Sequence, residues 1–123
     1  KISNTYLLDN DYNWKGIMIE SARGFEESYK KIRPNMIHVF KNATTIDFYR
    51  LFQDNNVPFN INFLQIDIEA TNGSTITTLI NLEKVMNQYK FACVAFEHDY
   101  YRENNEYNTR VKSREIFKKH GYI

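Results

Sequence analysis

Four short apolar runs punctuate the chain, and each ends in polar or acidic residues. They span 16–19 before Glu20, 36–40 before Asn42, 61–66 before Asp67 and Glu69, and 91–96 before Glu97, His98 and Asp99. Continuous apolar runs that alternate with helical patterns predict parallel strands covered on both faces, because each crossover lays a helix over the sheet. The carboxyl ends of such strands share an edge. Polar groups gathered on that edge line the crevice where open α/β sheets bind ligands.

The segments between the runs carry helical signals. Ser3 can cap a short helix reaching about Tyr12, with Tyr6 and Leu7 facing inward. Over 23–33, Phe25, Tyr29 and Ile32 recur at helical spacing, Glu26 and Glu27 stand four residues before Lys30 and Lys31, and Pro34 stops the helix. Thr44 or Thr45 can cap a helix with Phe48, Leu51 and Phe52 on one stripe. Gly73 and Ser74 open a helix reaching about Gln88, whose buried face is predicted to be Ile76, Leu79, Ile80, Val85 and Met86. The stretch 100–108 has no periodicity and is expected to form part of a lid or substrate wall. A last helix is predicted over 109–120, with Lys118, Lys119 and His120 near its negative end and Gly121 at its stop. One helix followed by four strand–helix units predicts a doubly wound, mostly parallel α/β sheet in a single domain, 1–123.

Composition narrows the partners. A chain of 123 residues with 42% hydrophobic content is the size of one small domain. A net charge of +1 from scattered acids and bases leaves no electrostatic footprint for nucleic acid or anionic lipid, so a small-molecule partner is expected. Cys93, the only cysteine, sits in an apolar run and is predicted to be a core residue in a reducing compartment. No run approaches the roughly 18 residues of a membrane span and the amino terminus lacks a signal-peptide layout, so a cytoplasmic protein is expected.

Chemistry is concentrated at the predicted strand ends. Glu20, followed by Ser21 and a helix, stands where a carboxylate in nucleotide-binding sheets accepts hydrogen bonds from both ribose hydroxyls; its alternative is a helix-cap or solvated acid. Asn42 offers a donor and an acceptor suited to an adenine edge, or serves as a turn residue. Gln65, Asp67 and Glu69 alternate along the third strand and are expected on one face, where carboxylates need a partner, a metal or a pocket, or else bond backbone amides of the next loop. Glu97 and His98 are the candidate bases, with Glu97 and Asp99 on one side of the strand end and His98 on the other. His38 reads as a satisfied core histidine and His120 as a helix-end residue. The chain carries no glycine-rich phosphate loop, no GxSxG elbow and no paired zinc-ligand motif.

At these residues the sequence resembles the FkbM family of S-adenosylmethionine-dependent methyltransferases. The matching stretches are 3–8 (SNTYLL), 14–20 (WKGIMIE), 33–35 (RPN), Asn42-Ala43, Asp67-Ile68-Glu69, Phe96-Glu97-His98 and Gly121-Tyr122. The resemblance implies a Rossmann-like class I methyltransferase sheet with Glu20 and the adjoining Ser21 on the cofactor ribose, Asn42 and Ala43 by the adenine, and Asp67 near the methionine end. It also implies O-methylation of a hydroxyl on a sugar or natural product, with Glu97 or His98 as base. In the family a first strand and its glycine-rich loop precede the Ser-Asn-Thr-Tyr stretch, and Ala70 stands where a glycine is usual. A domain incomplete at both ends is therefore expected, with bare strand edges open to self-association. The alternatives are a degenerate, non-catalytic Rossmann-like binding domain and a phosphodiesterase holding a divalent ion on Asp67, Glu69 and Glu97. The first reading requires Glu20, Asn42, Asp67 and Glu97 to meet at one rim of parallel strands.

Overall fold

The computed structural model describes residues 3–102 and 106–122. Its element order is α1 (Tyr6–Asn10), β1 (Ile17–Ile19), a 3-10 turn (Arg23–Phe25), α2 (Glu26–Ile32), β2 (Ile37–Val39), α3 (Phe48–Asp54), β3 (Asn60–Ile66), α4 (Ser74–Glu83), β4 (Lys90–Phe96) and α5 (Thr109–Lys119). The chain is α/β with parallel strands. Among the described residues these form two sheets of two strands, β1 with β2 and β3 with β4. The chain divides into two compact units, Lys1–Ala43 and Thr44–Ile123.

In the first unit β1 and β2 are three residues long and their side chains are half-buried or exposed. The fully buried side chains among its described residues are Asp9 and Arg33. The Arg33 Nε donates to Asp9 Oδ2, while the other guanidinium nitrogens donate to the Thr5 carbonyl and Oγ1, each at 3.2 Å, and to Ser3 Oγ at 3.4 Å. Taking two charges out of water is costly, and the fork of donors answers that cost by meeting several acceptors at once. This network corrects the expectation for the first helix. Tyr6 and Leu7 are exposed, and it is Asp9, not an apolar residue, that α1 turns inward. A five-residue helix presents too little apolar surface to dock by burial alone. On α2 the Glu26–Lys30 pair forms at 2.7 Å as its spacing predicts, but Phe25 and Ile32 remain exposed.

The second unit holds an apolar core. α4 buries Thr75, Ile76, Thr78, Leu79 and Leu82, a stripe of helical period, against a cluster with Phe48, Phe52, Ile66, Val85, Met86, Tyr89 and Phe91. Ile80 lies off that stripe and is exposed, and the helix ends at Glu83 because 84–88 continue as turns that insert Val85 and Met86. Asp47, rather than Thr44 or Thr45, caps α3: its Oδ1 accepts the Arg50 amide at 3.0 Å. Tyr89 is fully buried between Phe52 and Phe59, with ring centroids 4.9 and 5.2 Å away, and its hydroxyl accepts from Gln53 at 2.7 Å. β3 and β4 pair in parallel from Asn60 opposite Lys90 to Ile66 opposite Phe96. Cys93 is exposed, which corrects its core assignment: alternation puts it on the same face of β4 as buried Phe91, but the cover over that face does not extend to it. At the other end of α5, Glu83 receives Lys119 at 2.8 Å and His120 at 3.1 Å, and the Tyr122 hydroxyl accepts the Phe91 amide at 2.8 Å.

Candidate functional site

Each parallel pair carries its candidate residues at its carboxyl end. In the first unit, Glu20 follows β1 with its amide donating to the Val39 carbonyl at 3.0 Å, so β2 fixes its backbone. Its Oε1 accepts the Ala22 amide at 2.9 Å, a local turn bond, and neither the 3-10 turn nor α2 has a side-chain cap. A carboxylate offers about four acceptor sites, and one amide leaves capacity for a vicinal diol. Ser21 is exposed beside it; Asn42 is exposed and Ala43 half-buried in the segment after β2. A broad surface hollow in this unit is lined by Arg23, Gly24, Glu26, Glu27 and Lys30 and includes none of these residues.

In the second unit the strands end earlier than the sequence predicts. β3 stops at Ile66, so Asp67 and Glu69 do not share a strand face. Glu69 instead bends onto Thr71, accepting from its amide at 3.1 Å and its hydroxyl at 2.6 Å, and those bonds hold its carboxyl below the usual range. Its binding of a loop amide is the structural alternative stated above. Asp67 and Glu97 leave the paired strands side by side, since Ile66 is opposite Phe96 and the Glu97 amide donates to the Ile66 carbonyl at 3.0 Å.

Three carboxyl groups meet at this point. Hydrogen bonding to Asp67 and then to Asp99, reinforced by their like charges, pushes the Glu97 carboxyl up to about 7. Asp99 is 6% exposed, takes a left-handed backbone conformation (φ +43°), and accepts from Arg102 at 2.9 Å. Its charge, followed by a hydrogen bond, raises the neighbouring Tyr101 hydroxyl. His98 points its Nδ1 at the Tyr100 amide, 3.1 Å away. A neutral imidazole accepting at Nδ1 carries its proton on Nε2, which makes that edge of His98 a donor rather than a base.

Comparison with known proteins finds no family model that matches the chain, and no curated protein or solved structure of significant similarity. Among the described residues no group of three or more His, Cys, Asp or Glu side chains is arranged to hold a metal ion, so the phosphodiesterase alternative gains no ligand set from them. No helix among them is long and apolar enough to cross a membrane.

Arg102 and the depth of Asp99 escaped the sequence reading. The signal was local: Asp99 and Arg102 stand three residues apart around two tyrosines, a spacing that closes an ion pair in a single turn. The predicted wall over 100–108 includes 103–105, which lie outside the described residues.

Proposed function

We propose that the chain is the core of an S-adenosylmethionine-dependent methyltransferase, built on a Rossmann-like doubly wound sheet, that methylates a hydroxyl on a sugar or natural product. The observation that carries the reading is the placement of Glu97 directly after β4, its amide bonded to the Ile66 carbonyl at 3.0 Å; the neighbouring Asp67 and Asp99 carboxyls push its own up to about 7, where a general base is most effective near neutral pH. The donor set of the first unit suits a nucleoside: Glu20 only accepts, as two ribose hydroxyls require, and Asn42 both donates and accepts, as an adenine edge requires. Ser21 and Ala43 flank them as further cofactor-binding residues.

When bound, S-adenosylmethionine supplies an electrophilic methyl group. Glu97 in its ionised form accepts the proton of the acceptor hydroxyl as the oxygen–methyl bond forms. Asp67 organises the methionine end of the cofactor, and His98 donates through Nε2 to orient the acceptor. Most of the rate gain in such a transfer comes from alignment, with the base adding a factor on the order of 10²–10⁴.

Calorimetric titration with S-adenosylhomocysteine tests the reading. Binding is expected, and Glu20→Ala should weaken it about tenfold, roughly 1.4 kcal/mol. Glu97→Gln should leave that affinity unchanged and abolish methyl transfer. Absence of binding at about 1 mM ligand, a level that still detects interactions near 4 kcal/mol, overturns the proposal. Binding without turnover on any hydroxyl acceptor identifies the non-catalytic binding domain instead.

A further inference from the structure

We propose that the Tyr100 ring, held by His98 and Arg110, is a platform on which a neutral sugar ring stacks. That this sugar is the methyl acceptor rests on the function proposed above; the stacking does not.

The turn after β4 holds its two middle residues outward. Asp99, buried and left-handed at φ +43°, anchors it. The Arg102 amide donates to the Asp99 carbonyl at 2.8 Å and its guanidinium to Asp99 Oδ2 at 2.9 Å, so backbone and side chain close the same turn. Tyr100 and Tyr101 at its apex are 46% and 82% exposed. Tyrosines left in water on a closed turn suit recognition, because each offers a large amphipathic surface at a small loss of side-chain freedom.

Tyr100 is fixed further. Its amide donates to His98 Nδ1 at 3.1 Å, the two rings meet edge to face with centroids 6.5 Å apart, and the Arg110 guanidinium from α5 lies over the Tyr100 ring at 4.8 Å. Arg110 covers one face of the ring, which leaves the other for a ligand. Among the described residues the Arg110 guanidinium pairs with no carboxylate, so it keeps donors for that ligand.

The chemistry around the ring selects what binds. Arg110 and His98 Nε2 donate, the exposed Asp67 and Glu97 carboxylates accept, and the Tyr100 hydroxyl does both. A wholly apolar ligand would strand those groups. An anion would meet the carboxyls of Asp67, Glu97 and Asp99, with Arg102 already engaged by Asp99. A neutral pyranose matches both demands: a face of C–H groups lies on an aromatic ring, and a rim of hydroxyls donates and accepts.

Saturation-transfer NMR on the full chain tests this with the methyl α-glycosides of glucose, galactose and mannose as probes. Transfer from tyrosine ring protons to the C–H face of at least one glycoside is expected, with a dissociation constant on the order of 1 mM. Tyr100→Leu, which keeps bulk and removes the aromatic face, should weaken binding about tenfold, whereas Tyr100→Phe should retain it. Arg110→Ala lies outside the turn and should weaken binding as well, which gives a second route should Tyr100→Leu disturb residues 99–102. No transfer to any of the three at about 10 mM, tenfold above the expected constant, overturns the proposal. So does unchanged binding in both Tyr100→Leu and Arg110→Ala, or tighter binding of methyl glucuronide or phenol than of the neutral glycosides. Glycoside binding without S-adenosylhomocysteine binding supports the platform and removes methyl transfer; the reverse result removes the platform alone.

Discussion

The two units of the chain bury opposite kinds of side chain. Among the described residues, Thr44–Ile123 closes eleven hydrophobic side chains into a core, whereas Lys1–Ala43 fully buries only the ions Asp9 and Arg33. Apolar burial is non-directional and spreads its contribution over many contacts, so the loss of one methyl group is felt but survived. A buried ion pair concentrates everything on geometry. If one partner goes, the other is left as an uncompensated charge. The first unit is therefore specified by one polar junction between α1 and the end of α2, and the second by a volume.

The largest expected effect follows from that junction. Arg33→Ala should destabilise the first unit by about 4 kcal/mol, seen by hydrogen exchange as loss of protection over β1 and β2. The double variant Asp9→Leu/Arg33→Met should recover most of the loss, because a well-packed apolar pair replaces both charges at little net cost. Recovery would show that the junction matters as a contact, whereas continued loss would show that its hydrogen bonds to Ser3 and Thr5 are what define the unit. In the second unit, Leu79→Ala removes a side chain with no exposure at the centre of α4 and should cost about 3 kcal/mol in chemical denaturation. Protection over β3 and β4 should fall while the exchange of α1 and α2 amides stays as it was.

The same contrast governs what was legible in the sequence. The core of the second unit could be read because Phe48, Phe52, Ile76 and Leu79 recur with the helical period, and period is a property of neighbouring letters. The Asp9–Arg33 contact spans 24 positions, and no local pattern announces it. Ile80 is exposed although its neighbours predict burial, because a helix in which adjacent positions are apolar does not say where its buried stripe ends. At the candidate site, the order of acidic residues after each run was visible, and the register that sets Asp67 beside Glu97 was implied by parallel pairing. The early end of β3, which sends Glu69 to Thr71, and the burial of Asp99 depend on turn geometry after the strands, where alternation ceases to be a guide.

A smaller effect should come from the entrance to α4. Gly73 holds φ +78°, and a Cβ there would stand 2.7 Å from the Tyr107 ring. Gly73→Ala combines a left-handed alanine with that collision and should cost about 2 kcal/mol. Pairing it with Tyr107→Ala removes the collision and leaves the backbone strain, so the two costs should be non-additive in a double-mutant cycle. Full additivity would mean that the ring and the glycine do not constrain each other, and that the second unit depends on its core alone.

The smallest effect is the most diagnostic, because it belongs to a polar cluster inside the apolar-core unit. Glu97 is raised from 4.5 to about 7 in the folded chain, so between those values the folded state binds more protons than the unfolded state. Stability must then fall as pH rises across that window: the contribution is fully present below about 4.5 and is gone once the pH has passed about 7. Glu97 is exposed, and solvent screening keeps the change modest. The melting temperature of the wild type should therefore decline from pH 5 to pH 8, and Glu97→Gln, which keeps the hydrogen-bonding shape without the ionisation, should flatten that part of the profile. An unchanged slope in the variant would assign the decline to other groups and would remove the carboxyl cluster from the forces acting on the ends of β3 and β4.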